Sequence, residues 1–176
     1  MKIFLIGFMG SGKTSIGKRL AKFLGFDFID LDSVIETKEG KPISKIFMER
    51  GETAFRILEQ EALQELVKET CVVVATGGGA PCHNNNLQFM NANGTTVYLR
   101  LDQEALLQRL TDAKLKRPLI KDLTDAELNR FIEEKMLERT PHYEKAHYTV
   151  ESAHITNAAE RIHELIRGSE PTGGKR

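Results

Sequence analysis

Gly7-Phe8-Met9-Gly10-Ser11-Gly12-Lys13-Thr14 places two glycines five residues apart with a lysine and a hydroxyl residue directly behind them. Those residue types at that spacing can hold a polyphosphate. Glycines let the backbone fold into a concave nest whose N–H groups point at phosphate oxygens, and the helix that follows adds its positive end. On this pattern the segment Gly10, Ser11, Gly12, Lys13, Thr14 and Ser15 contacts ATP, with Lys13 reaching the β- and γ-phosphates and the Thr14 hydroxyl on Mg²⁺. The plainer reading is a strand-to-helix turn that merely needs glycine. Two further stretches carry chemistry: the carboxylate pair of Asp30-Leu31-Asp32, and Thr76-Gly77-Gly78-Gly79, where three glycines permit close backbone approach to a ligand.

The elements that must position these residues alternate in type. Ile3 to Ile6 is an apolar strand leading into the loop, and Lys13 to Leu24 is a helix with Ile16, Leu20, Phe23 and Leu24 on one side and Gly25 as its cap. Phe28-Ile29 is a short strand that delivers Asp30 and Asp32 to its C-terminal edge, where parallel α/β sheets bind ligands. Pro42 to Arg50 reads as a short helix closed by Gly51, and Thr53 to Lys68 as a longer one with Phe55, Leu58, Ala62 and Leu66 inward and Arg56 off the stripe. Val72 to Ala75 is a fully apolar strand ending at the glycine triplet. A helix around Asn84 to Asn91 contains three consecutive asparagines, which disfavour a helix interior.

Thr96 to Leu99 is the fourth strand, followed by a helix from Gln103 to Leu110. Between residues 111 and 123 the pattern lapses into a basic loop with Lys114, Lys116, Arg117 and Lys121, suited to a mobile lid. Thr124 or Asp125 caps a helix to about Glu138, with Leu128, Phe131, Ile132 and Met136 inward. A strand near Tyr148 to Val150 and a helix from about Asn157 to Ile166 close the chain. The expectation is a three-layer α/β fold with a mainly parallel five-strand sheet, one domain over residues 1–168 and a frayed tail over 169–176.

With 176 residues, 40% hydrophobic, and 25 basic against 25 acidic residues, the formal net charge is zero. That balance provides no field for a polyanion, so nucleic acid is not expected as a partner. Met1 runs straight into the first strand and no apolar run reaches membrane-spanning length, so a cytoplasmic protein without a membrane partner is expected. Cys71, opening an apolar strand, reads as a buried structural thiol, and no histidine is assigned to metal.

A phosphate loop alone fits kinases, switch GTPases and motor ATPases. Asn-Lys-x-Asp and Asp-x-x-Gly, which a GTPase needs, are absent from the sequence, and the third strand ends in glycines where a motor ATPase has an acid. Taken together, Gly-Phe-Met-Gly-Ser-Gly-Lys-Thr, Asp30-Leu31-Asp32, Phe55-Arg56, Ala75-Thr76-Gly77-Gly78-Gly79, Arg117-Pro118-Leu119 and Glu138-Arg139-x-Pro141-x-Tyr143 stand in the order and at about the spacing of shikimate kinase, over residues 2–167. The chain resembles that family. The resemblance implies transfer of the ATP γ-phosphoryl to the 3-hydroxyl of shikimate, a P-loop kinase fold with strand order 2-3-1-4-5, and a monomer that uses Mg²⁺. It further implies that Arg56 and Arg139 clamp the acceptor carboxylate and that Asp32 orients its hydroxyls and takes the attacking proton. Asp30 then holds Mg²⁺ through water, Gly77, Gly78 and Gly79 line the acceptor, Arg109 flanks the adenine, and Arg117 closes over ATP as a catalytic lid arginine. Two alternatives stay open: another small-molecule kinase acting on gluconate or a nucleoside monophosphate, and a nucleotide-dependent binding protein that transfers nothing.

Overall fold

A computed structural model describes residues 1–114 and 119–168. Its centre is a five-stranded sheet built from β1 (Lys2–Ile6), β2 (Asp27–Asp30), β3 (Val72–Ala75), β4 (Thr95–Arg100) and β5 (Tyr148–Glu151), in the order β2-β3-β1-β4-β5. Every pairing is parallel, with Phe4 opposite both Val74 and Thr96 and Ile29 opposite Val74. Parallel pairing puts all strand C-termini on one edge, so the phosphate loop, Asp30 and the glycine triplet leave the sheet side by side. Ile3 and Leu5 face one apolar layer with Ile16, Leu20 and Ile162, while Phe4 and Ile6 face another with Leu31, Phe55 and Tyr143. This alternation across β1 is what a strand covered on both faces requires.

The helices are α1 (Lys13–Leu24), α2 (Leu31–Glu39), α3 (Ile43–Glu65), α4 (Asn86–Asn93), α5 (Gln103–Asp112), α6 (Asp125–Tyr143) and α7 (Ile155–Gly168). Two expected helices on either side of Gly51 appear as α3, broken at that glycine, whose φ of 77° and ψ of 176° are not helical. The helix α2 has no counterpart in the sequence reading; the Asp30 side chain caps it by accepting from the Asp32 amide. Thr124 and Glu127 form a capping box at the start of α6.

Four expectations need correction. Phe23, placed with Ile16 and Leu20 on the packed side of α1, is exposed. Cys71 is exposed, not buried: it lies before β3 with φ 55°, in a turn whose carbonyl accepts from the Asp27 amide, so its side chain is turned away from the core. The helix placed at Asn84 begins two residues later, because Asn84 and Asn85 are left-handed at φ 51° and 57°. The helix placed over Asp125 to Glu138 continues through Pro141 to Tyr143, which brings Arg139 and Tyr143, one turn apart, onto the same buried face.

Candidate active site

The phosphate loop runs from β1 into α1 through glycines that only this residue type adopts comfortably: Gly10 has φ 84° and Gly12 φ 96°. The Lys13 ammonium lies across the loop, donating to the Gly7 carbonyl at 2.7 Å and the Phe8 carbonyl at 2.8 Å. Ser11 is turned under the loop, its amide donating to the Phe8 carbonyl at 3.2 Å and its buried hydroxyl lacking a hydrogen-bond partner among the described residues. A cavity of about 800 Å³ opens above, lined by Gly10, Gly12, Lys13, Thr14 and Ser15 on one side and by Asp30, Asp32, Gly77 and Gly78 on another.

At the end of the loop the Thr14 hydroxyl donates to Asp30 Oδ2 at 2.9 Å. A hydroxyl and a carboxylate in contact beside a phosphate nest suit a hard divalent cation, which prefers oxygen donors and keeps much of its water. Asp30 therefore has two partners, since its other oxygen accepts from the Asp32 amide at 3.2 Å.

The far wall of the cavity holds Arg109, whose guanidinium donates to the carbonyls of Gly10, Ser152 and Ala153 at 3.2, 3.1 and 2.7 Å. It fastens the phosphate loop to the segment Ala153 to Asn157 that completes this wall. Arg117 lies outside the described residues, as does the part of the lid from 115 to 118.

The three glycines after β3 each meet a different charged side chain. A Cβ on Gly77 would sit 2.5 Å from Glu59 Oε1 and 3.2 Å from Asp32 Oδ1, and one on Gly79 would sit 2.7 Å from the Arg56 guanidinium. One on Gly78 would lie 3.6 Å from Arg139 and 3.3 Å from the Met9 amide nitrogen of the phosphate loop. Side chains at these positions would fill the space that brings two arginines and two carboxylates to the edge of the phosphate nest.

Arg56 is engaged with Glu52 at 2.7 Å and with Glu59 at 3.2 Å. Arg139 is 8% exposed, stands 5.8 Å from the Phe8 ring centre, and has an Nε without a hydrogen-bond partner among the described residues. Burial, and next the Asp30 charge, raise the Asp32 carboxyl above its ordinary range. Burial alone is the main cause at Glu59, pushing it up to about 7 against the pull of Arg56.

Residues 9–169 match the family model for shikimate kinase. This chain belongs to the shikimate kinase family. It is 45% identical over 164 residues to the shikimate kinase of Parabacteroides distasonis, covering 93% of this chain and 94% of that one. The crystal structure of shikimate kinase from Bacteroides thetaiotaomicron superposes with a TM-score of 0.91 at 40% identity, covering 95% of this chain and 98% of that one. Shikimate kinase from Acinetobacter baumannii in complex with shikimate superposes with a TM-score of 0.88 at 37% identity, covering 96% and 94%. A family of ATP-dependent phosphotransferases accounts for a phosphate nest beside a polar acceptor wall.

Glu59, beside Arg56 and under the Gly77 position, is a charged group that none of the motifs points to. It is fully buried on α3, with Oε2 accepting from Arg56 and Oε1 without a hydrogen-bond partner among the described residues. A carboxyl raised from 4.5 to about 7 destabilises the fold as it ionises: between those two values the native state holds the proton more tightly than the unfolded chain, so this group's contribution falls as pH rises. Glu59→Gln, which stays neutral, is therefore expected to gain on the wild type as pH goes from about 5 to about 8, by an amount on the order of 3 kcal/mol. Thermal melts of the two proteins across that range check it; a constant difference would show that Glu59 ionises normally.

Proposed function

We propose that the protein transfers the γ-phosphoryl group of ATP to the 3-hydroxyl of shikimate, giving shikimate 3-phosphate and ADP. The observation that carries this reading is the position of the glycine triplet, where an added Cβ would come within 3.6 Å of the phosphate loop at Met9 and of Arg56, Arg139 and Asp32 on its other sides. A transition state for phosphoryl transfer is loose and asks the protein mainly for alignment and charge neutralisation. Loop amides from Gly10 to Ser15, with Lys13, hold the triphosphate. Thr14 and Asp30 would hold Mg²⁺, which when bound would supply positive charge against the triphosphate. Arg56 and Arg139 grip the acceptor carboxylate by paired hydrogen bonds. The Gly78 amide and the neighbouring Gly77 and Gly79 backbone fix the ring, and Asp32 accepts the proton of the attacking hydroxyl. Its raised carboxyl makes it a better proton acceptor than an exposed aspartate. Arg117 is proposed to stabilise charge on the moving phosphoryl group and Arg109 to flank the adenine, roles that the resemblance to the family implies.

The chain is further proposed to act as a monomer in the cytoplasm, without nucleic acid or membrane. A zero net charge supports the first exclusion, and no helix among the described residues is long and apolar enough to cross a membrane. The test of function is ADP release with Mg²⁺ and ATP over shikimate, gluconate and a nucleoside monophosphate. Shikimate is expected to stimulate turnover by at least about a hundredfold over either other acceptor: a mononucleotide leaves the carboxylate-pairing groups unmatched, and gluconate, though it has a carboxylate and hydroxyls, is an open chain that must lose its internal freedom to put them where a rigid ring already holds them. Stimulation by gluconate or the mononucleotide alone would transfer the assignment to that acceptor, and tight ATP binding with no acceptor effect would favour a protein that only binds.

A further inference from the structure

The run Asn84-Asn85-Asn86 is a poor helix start but a good fastening. Asn84 and Asn85 both sit in the left-handed region, at φ 51° and 57°, which asparagine tolerates better than other side-chain-bearing residues. There the Asn84 amide donates to the Arg56 carbonyl at 3.0 Å, and Gln60 donates back to the Asn84 carbonyl at 3.2 Å. These bonds land on the turn of α3 that carries Arg56. A third asparagine, Asn86, is buried and donates to the Ala80 carbonyl at 3.1 Å, closing the segment onto the glycine triplet.

The opposite end of the same stretch is tied to α6. Tyr143, one helical turn beyond Arg139, donates its hydroxyl to the Gly78 carbonyl at 2.6 Å. Its ring is fully buried and tilted against Tyr98 at 5.1 Å, so the hydroxyl has little freedom to swing away. Both α3 and α6 pack on the turn Ala80–Cys82, and they make no comparable contact with each other among the described residues.

We propose that the stretch from Gly78 to Asn86 is a spacer that sets the gap between the Arg56 and Arg139 guanidinium groups, with Asn84 and Tyr143 as its positioning residues. The proposal rests on the reading of these arginines as the acceptor's carboxylate clamp. A clamp of two planar forks depends on their separation, because each must meet the same small anion with two aligned hydrogen bonds. Asn84 acts through the turn of α3 that it holds, and Tyr143 both through α6 and through its own contact with the Arg139 side chain.

Asn84→Gly keeps the left-handed backbone and removes the amide, while Tyr143→Phe keeps the buried ring and removes the hydroxyl. Steady-state kinetics of the wild type, both variants and the double variant, with shikimate and ATP varied separately, test the idea. Each substitution is expected to raise the KM for shikimate by about three- to thirtyfold, with the KM for ATP within about twofold. Because both act on one gap, the double variant is expected to depart from the product of the single effects. A purely structural role would lower the melting temperature and kcat without separating the two KM values, and that result overturns the spacer. So does an unchanged KM for shikimate in both variants of an active enzyme. A wild type without shikimate-stimulated turnover defeats the functional reading itself, visibly before any variant is made, and the spacer falls with it.

Discussion

Lys13→Ala is expected to lower kcat by about a thousandfold while the protein stays folded. The ammonium already stands over the phosphate nest, 2.7 and 2.8 Å from two loop carbonyls, so little reorganisation separates it from a bound β- or γ-phosphate. Two unit charges about 4 Å apart at an effective dielectric near 20 interact by about 4 kcal/mol, which is close to three orders of magnitude in rate if most of it develops as charge moves toward the leaving oxygen. Only the part that grows on the way to the transition state counts, so kcat should fall more than the affinity for ATP. The cost to folding is small by comparison. Two hydrogen bonds to carbonyls at the mouth of an open cavity contribute about 1 kcal/mol each, and water can replace the donor, so the melting temperature should fall by less than about 8 °C. Circular dichroism melts and single-turnover assays separate the two quantities. A variant that keeps near-normal kcat would remove the loop from the chemistry.

The phosphate loop, the five strands and the glycine triplet were legible because each is announced by a local signal: an apolar run, then glycines where backbone must turn or approach a ligand. Their order in the sheet was not contained in those signals and came from likeness to a family. The helix α2 escaped notice because only Leu31 and Ile35 are buried on it, too little for a stripe, and because Asp30 and Asp32 invited a chemical reading that hid a cap. Glu59 had a signal that was passed over. It follows Phe55 by four and precedes Ala62 by three, which places a carboxyl on the inner face of α3 where an apolar residue is the rule. The helix expected to end at about Glu138 runs on through Pro141, because the carbonyl that Pro141 deprives of a partner belongs to Leu137, an 81% exposed residue, where water can satisfy it. Cys71 was judged by the strand behind it, whereas its own backbone belongs to a turn.

Arg139→Ala is expected to raise the KM for shikimate about a hundredfold and to leave the KM for ATP within a few-fold. The side chain reaches the acceptor wall from a helix that would have ended at Glu138 had Pro141 stopped it, and its burial against Phe8 fixes the direction of the fork. A buried guanidinium with an Nε that finds no hydrogen-bond partner among the described residues is an expense to the folded protein, and a carboxylate is the group that repays it with the strongest hydrogen bonds available. Removing one member of a buried charged pair costs about 2–5 kcal/mol, of which about 3 corresponds to a hundredfold in affinity. Stability should change little, because the Ala variant loses packing on Phe8 and also loses an incompletely satisfied cation. Arg139→Lys separates charge from geometry: it keeps the positive end but not the planar fork, so most of the loss should persist, at about tenfold or more. Full recovery in the Lys variant would mean that charge alone holds the acid, and an unchanged KM in the Ala variant would mean that Arg139 belongs to the core and not to the clamp.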